Sequence, residues 1–273
     1  MKLQFVKYEK IERVARITLS RPERTNALNG AMLDEIGQAV SAAEADHDIR
    51  AIVLTGDGKA FSSGFDLKDQ MERRPTGISD WRPILQKDFD AVVQFWHCPK
   101  PTIASVRGAC LAGAFEMSLA CDVTIASDTA FFGEPELKFG AGIVVMLLPW
   151  LVGPKIAKEI IFTGEDRVTA QRAYELGIVN KIVADDKLDE AALKLARYLG
   201  TIDPMLMRET KRAINKSFEM QGMLEALQAA LDIDLQIEGE GSPDKIRFFD
   251  IARADGLKAA LTWRDGRFPD LKT

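Results

Sequence analysis

The stretch RGACLAGAFEMSLACD, residues 107–122, holds Glu116 among small and apolar residues. A carboxylate in such surroundings is either a structural group, paired with Arg107 or a backbone donor, or it faces a pocket where burial lifts its pKa. Glu136, in FFGEPELKFG at 131–140, becomes a second candidate once its turn folds back, although the same turn can equally leave it on the surface. Two neighbouring carboxyls can divide acid and base work, because burial and mutual repulsion push their protonation towards neutral pH. Glu134 reads as an exposed residue of that turn.

Backbone donors complement these side chains. A helix over 112–120 would begin near Ala112 or Gly113, where the first amides lack intrahelical acceptors and the dipole favours negative charge. A second amide, from the Gly64-Phe65 turn, would complete a two-donor hole for an oxygen that gains charge during reaction. Each glycine can equally serve local backbone geometry alone. Asp66 can orient the turn, and Lys68 is either a phosphate contact or a solvated charge.

Other chemistries find less support. His47 and His97 lack the spacing of a metal pair, and Ser62 and Ser63 have no evident histidine and aspartate partners. No Walker loop and no GxGxxG fingerprint occurs. The net charge of −5 provides no basic surface for nucleic acid. Cys98, Cys110 and Cys121 form no ligand spacing or disulfide framework, so buried reduced thiols in a cytoplasmic protein are expected. MKLQFVKYEK lacks a secretory core, and IVVMLLPWLV at 143–152 is too short to span a bilayer, so no membrane anchor is expected.

The elements that must position these residues alternate. Residues 3–19 read as a strand pair, 31–45 as an amphipathic helix, and 51–56 and 102–106 as buried strands. Residues 70–80 read as a turn, 81–96 as a helix, and DVTIAS as a strand before the Glu136 turn. Strand, turn and helix in this order predict an α/β fold whose strand ends carry the site. From 154 the pattern turns helical, with a short strand in 178–183, one long helix at 204–238, a linker at 239–247 and a terminal helix at 248–264. An α/β core over 1–190 is thus expected, followed by a helical oligomerisation and capping region over 191–273.

RPERTNALN at 21–29, AFSSGFDLK at 60–68, KPTIASVRGACLAGAFEMSLACD at 100–122 and FFGEPELKFG at 131–140 together resemble the crotonase, or enoyl-CoA hydratase/isomerase, superfamily. TGEDRVTAQRAYELGIVNKIV at 163–183 continues the likeness, and ADGLKAALTWRDGRF at 254–268 resembles the family's terminal segment more loosely. The resemblance implies a spiral of ββα units with a C-terminal helical region, assembled as a homotrimer or dimer of trimers. It implies an acyl-CoA substrate, with coenzyme A part of that substrate and no separate cofactor or catalytic metal. The thioester oxygen would rest on the amides of Phe65 and Gly113, while Ser62, Ser63, Gly64 and Asp66 approach the adenine portion. Lys68 would meet the charged part of the ligand, and Lys258 and Phe268 would act at a neighbouring subunit boundary. Glu116 and Glu136 match the glutamates of hydratases, which implies water addition to a trans-2-enoyl-CoA. One departure is GAGIVVMLLPW at 140–150, where many hydratases carry a glycine-rich turn; Ile143, Val144 and Val145 are expected to narrow or dry that wall. A double-bond isomerase or a related acyl-CoA enzyme working through an enolate, and a noncatalytic oligomeric binding protein, are the alternatives.

Overall fold

A computed structural model describes residues 2–269. Its strands are β1 (Val6–Ile11), β2 (Val14–Leu19), β3 (Ala51–Gly56), β4 (Thr102–Val106), β5 (Ala109–Leu111), β6 (Val123–Ser127), β7 (Phe131–Gly133), β8 (Val168–Thr169) and β9 (Lys181–Val183). β1 and β2 form the antiparallel pair expected near the N-terminus, and β3, β4, β6 and β9 add in parallel to give the order β1-β2-β3-β4-β6-β9. The second sheet, ordered β5-β7-β8, lies off the ends of these strands.

β3 reads AIVLTG without polar alternation because both faces are covered. Ile52 and Leu54 enter the main core, whereas Ala51 and Val53 join a smaller cluster on the other face. The helices in chain order are α1 (Gly30–Ala45), α2 (Leu67–Arg73), α3 (Gly77–His97), α4 (Gly113–Ala120), α5 (Leu148–Val152), α6 (Pro154–Thr163), α7 (Ala170–Glu175) and α8 (Leu188–Leu199). They continue with α9 (Pro204–Glu219), α10 (Met223–Glu240), α11 (Pro243–Asp255) and α12 (Leu257–Gly266). Leu188, Ala192 and Ala196 of α8 cover the second face of β3, so a boundary at 190 runs through a helix that belongs to the sheet.

Three local differences from the sequence reading have simple causes. Part of the stretch read as a turn is α2, because the Asp66 carboxylate accepts the N–H groups of Lys68 and Asp69 and caps a helix there. The long helix expected at 204–238 divides at Gly222, whose φ of 90° is the left-handed conformation that glycine adopts at least cost. The terminal helix is likewise two helices, parted at Gly256, and the linker shortens to the turn before α11. The α11–α12 hairpin packs through Phe248, Phe249 and Ala260 onto Phe139, Leu67 and Met71. It thereby lies over the strand ends that carry the candidate site. No helix among the described residues is long and apolar enough to cross a membrane.

Candidate active site

The loop after β3 is held from both sides. Phe61 and Ser62 donate their N–H groups to the carbonyls of Arg107 and Ala109 at 2.8 and 3.0 Å, and Leu111 returns one to Ser62 at 3.2 Å. On the other side Leu28 N–H meets Gly64 O at 2.9 Å, and Asp66 N–H meets Leu28 O at 3.0 Å. Asn26 is fully buried, and its side-chain amide donates to the carbonyls of Asp57, Ala60 and Phe61 at 2.9, 2.9 and 3.1 Å. The loop therefore has little freedom to move away from β5.

Gly64 has φ 90°, and a Cβ there would lie 2.5 Å from the Ala112 Cβ, 2.8 Å from the Leu111 carbonyl and 3.3 Å from the Gly113 nitrogen. A Cβ on Gly113 would run into the ring of Phe65. Glycine at both positions is what lets the two turns touch. Neither the Phe65 nor the Gly113 amide donates to an acceptor among the described residues. Ala112, with φ 56° and ψ −139°, occupies a conformation that costs a residue with a Cβ about 1–3 kcal/mol, and its own amide is tied to Gly133 O at 2.9 Å. Strain held this way is a common feature of sites in which backbone donors are aimed at a ligand.

Glu116 sits one turn into α4 and is 1% exposed. Glu134 and Glu136 follow β7 and are 1% and 7% exposed. Oxygens of the three carboxyls lie within 4.8 Å of one another, a spacing that suits either shared protons or a cation. Burial, and then the charge of Glu136, holds Glu116 well above the usual carboxylate range, with the Val145 amide opposing. Among the described residues no hydrogen bond of good geometry reaches either Glu116 oxygen. Burial lifts Glu136 to about 8, while a hydrogen bond from Glu134 favours its charged form. Glu134 is raised in turn by burial and by its two neighbours, which keeps it protonated and able to donate. A site of this kind holds protons at neutral pH and releases them singly.

Glu136 opens onto a cleft of about 510 Å³, with Phe65, Ala112, Phe139 and Val144 among its walls. Arg24, Lys68 and Arg167 bring exposed cationic groups to the same cleft, with Arg167 stacked 4.3 Å from the Phe131 ring. Leu257, Leu261 and Arg264 of α12 line it from above.

The family model for enoyl-CoA hydratase/isomerase matches residues 9–240. The chain belongs to the enoyl-CoA hydratase/isomerase family. It is 33% identical to the short-chain-enoyl-CoA hydratase of Clostridium acetobutylicum over 246 residues, covering 88% of each chain. It is 34% identical to the 2,3-dehydroadipyl-CoA hydratase of Escherichia coli, over 83% of this chain and 86% of that one. Among solved structures, an enoyl-CoA hydratase/isomerase from Xanthobacter autotrophicus Py2 superposes with a TM-score of 0.98 at 66% identity, covering 98% of this chain and all of that one. The fold is thus the crotonase architecture, βα repeats with a C-terminal helical bundle, and the chemistry is the hydratase/isomerase chemistry of that superfamily.

Against this family background, the structure separates the residues that sequence reasoning grouped. Ser63, Phe65, Asp66, Lys68 and Glu136 line the cleft, whereas Gly64, Gly113 and Glu116 do not, Glu116 meeting it only through its neighbour Glu136. Ser62 does not: it is fully buried, donating to Asn26 O at 2.8 Å and accepting Gly64 N–H at 3.1 Å, so it braces the loop. Asp66 is engaged by Arg21 at 2.9 Å and by the cap of α2, which leaves it a supporting position at the cleft wall. Lys258 and Phe268 are exposed and outside the cleft, with Phe268 beside Lys138 and Arg267. Arg107 pairs with Asp185 and Asp189 at 3.7 and 3.4 Å, not with Glu116. All three cysteines are buried and free.

Glu134 is the main correction. Expected in an exposed turn, it is buried: its amide bonds to Glu165 O at 3.0 Å, and the turn brings its carboxyl to those of Glu116 and Glu136. Sequence reasoning also missed Asn26, whose only signal was its place in a turn-rich RPERTNALN. The cleft residues Asp234, Glu238 and Lys245 were missed as well, since they come from helices α10 and α11 far along the chain.

Proposed function

We propose that the protein adds water reversibly across the 2,3 double bond of an enoyl-CoA thioester to give a 3-hydroxyacyl-CoA. The observation that carries this reading is the buried Glu116–Glu136 pair together with two backbone amides that have no acceptor among the described residues. The thioester oxygen rests on the Phe65 and Gly113 amides, which hold the charge that gathers there as the β-carbon is attacked. Glu116, ionised once the coupled site has released one of its protons, orients water and takes its proton as the oxygen bonds to Cβ. Glu136, raised to about 8 and so protonated at neutral pH, delivers a proton to Cα as the enolate collapses. Reversal returns the α-proton to Glu136 and expels the β-oxygen as water. Arg24, Lys68 and Arg167 receive the phosphates of coenzyme A at the mouth of the cleft. Phosphopantetheine runs between the Ser63–Phe65 turn and the start of α4.

Exposed apolar side chains on α9, with Met205 at 60%, Leu206 at 57% and Ile214 at 57% exposure, support assembly of copies as a trimer or dimer of trimers. A panel of short and medium trans-2-enoyl-CoAs with mass-resolved products tests the activity directly. Gain of water is expected. In Glu116→Gln and Glu136→Gln, kcat should fall at least about a hundredfold while coenzyme A thioesters still bind. Double-bond migration without water gain in the wild-type protein would replace hydration with isomerisation.

A further inference from the structure

Beyond the glutamates the cleft does not end in a hydrocarbon pocket. Asp234 and Glu238, four residues apart on one face of α10, line it together with Lys245 of α11. All three are buried, at 2%, 5% and 4% exposure. Lys245 is committed: it pairs with Glu238 and sits 4.2 Å over the ring of Trp81. Glu238 also accepts the Gly142 amide at 3.2 Å. Asp234 is not committed, since neither of its carboxylate oxygens has a hydrogen-bond partner among the described residues. Its carboxylate lies so close to Gly142 that a Cβ there would overlap it.

Asp234 is near the reactive end of the cleft, because it packs against Gly142, whose neighbour Ala141 donates its N–H to Glu136 O at 3.1 Å. The cationic residues Arg24, Lys68 and Arg167 are the groups suited to the phosphates. An acyl chain held with its thioester at the paired amides therefore extends past Val144 and Gly142 towards Asp234. A buried acceptor with no partner is costly, and a ligand that supplies a donor removes that cost. The group that fits is neutral. A cationic one would duplicate Lys245, and a carboxylate would confront Asp234 and Glu238 together.

We propose that Asp234 forms a specificity subsite for an enoyl group that carries a hydroxyl beyond Cβ, and that this subsite disfavours acyl chains ending in a carboxylate. The proposal rests on the acyl-CoA reading of the cleft and deepens it.

The test compares trans-2-hexenoyl-CoA with derivatives bearing a hydroxyl on the fourth, fifth or sixth carbon, and with the derivative ending in a carboxylate. At least one hydroxylated thioester should exceed the plain chain in kcat/KM by about tenfold or more, and the carboxylate should fall below it. Asp234→Leu should abolish the hydroxyl preference, and Asp234→Asn, which keeps the shape but not the charge, should weaken it. Equal or better use of the plain chain by the wild-type protein, or an unchanged ratio in Asp234→Leu, overturns the subsite. Calorimetry with saturated hexanoyl-CoA and its hydroxy derivatives reads the same preference without turnover. Failure of every enoyl thioester to gain water sinks the hydratase reading, whereas equal affinity of the saturated set sinks the subsite alone.

Discussion

Replacing Glu134 by leucine isolates what a third buried carboxyl does beside a catalytic pair. Glu134 is held protonated by burial and by its neighbours, and it donates to Glu136, whose charged form is thereby favoured. A hydrogen bond to a charged group contributes about 1.5–3 kcal/mol, which corresponds to about one to two pH units at roughly 1.4 kcal/mol each. Glu136 stands at about 8 with that donor present. Without it the carboxylate is less stable, so Glu136 should hold its proton to higher pH. In hydration Glu136 is the acid, and activity is lost as pH rises through its pKa; the alkaline limb of kcat/KM should therefore move up in Glu134→Leu. In dehydration the same group is the base, but water addition takes up no net proton, so kcat/KM follows the same pH profile in both directions and the alkaline limb should move up by the same amount. Glu134→Gln keeps an N–H donor and should leave both limbs near their wild-type positions. The assay is a pair of pH–rate profiles with melting curves as a control for folding. A limb that stays put or moves down in the leucine variant refutes the donor role, and a downward move would mean that Glu134 acts as a like charge.

Two further outcomes follow from the geometry. Gly113→Ala places a methyl group against the Phe65 ring, so the two turns must part and kcat/KM should drop about 10²-fold or more; steady-state kinetics showing near-normal turnover would count against the paired-amide site. Asp88, pushed up to about 8 by burial, makes the fold most stable below the ordinary aspartate range and less stable as pH climbs towards 8. Asp88→Asn lacks that titration, so its stability relative to wild type, followed by melting temperature, should improve between pH 5 and pH 8 by no more than about 4 kcal/mol. Parallel pH dependences of the two proteins would contradict it.

Much of the site's backbone was legible in the chain. Gly64 and Gly113 stand out because only a residue without a Cβ lets two turns approach so closely, and that demand is written in residue type. β3 and β4 were equally plain, since strands covered on both faces are continuously apolar. Ser62 was misread because a serine beside a pocket and a serine bracing the loop behind it have the same sequence, and only the contact with Asn26 tells them apart. Glu134 and Glu136 differ by two positions in one turn, so local pattern could not say that both point inward.

The sequence by itself determined the family, the alternation of strand and helix, and the two glycine turns that leave amides free, because these depend on local residue types and their order. Only the tertiary structure decided which carboxyls share a buried site and that Asp234, Glu238 and Lys245 close the far end of the cleft. Their proximity arises from helices separated from Glu116 by more than a hundred residues, and charge interactions depend on distance in space rather than along the chain.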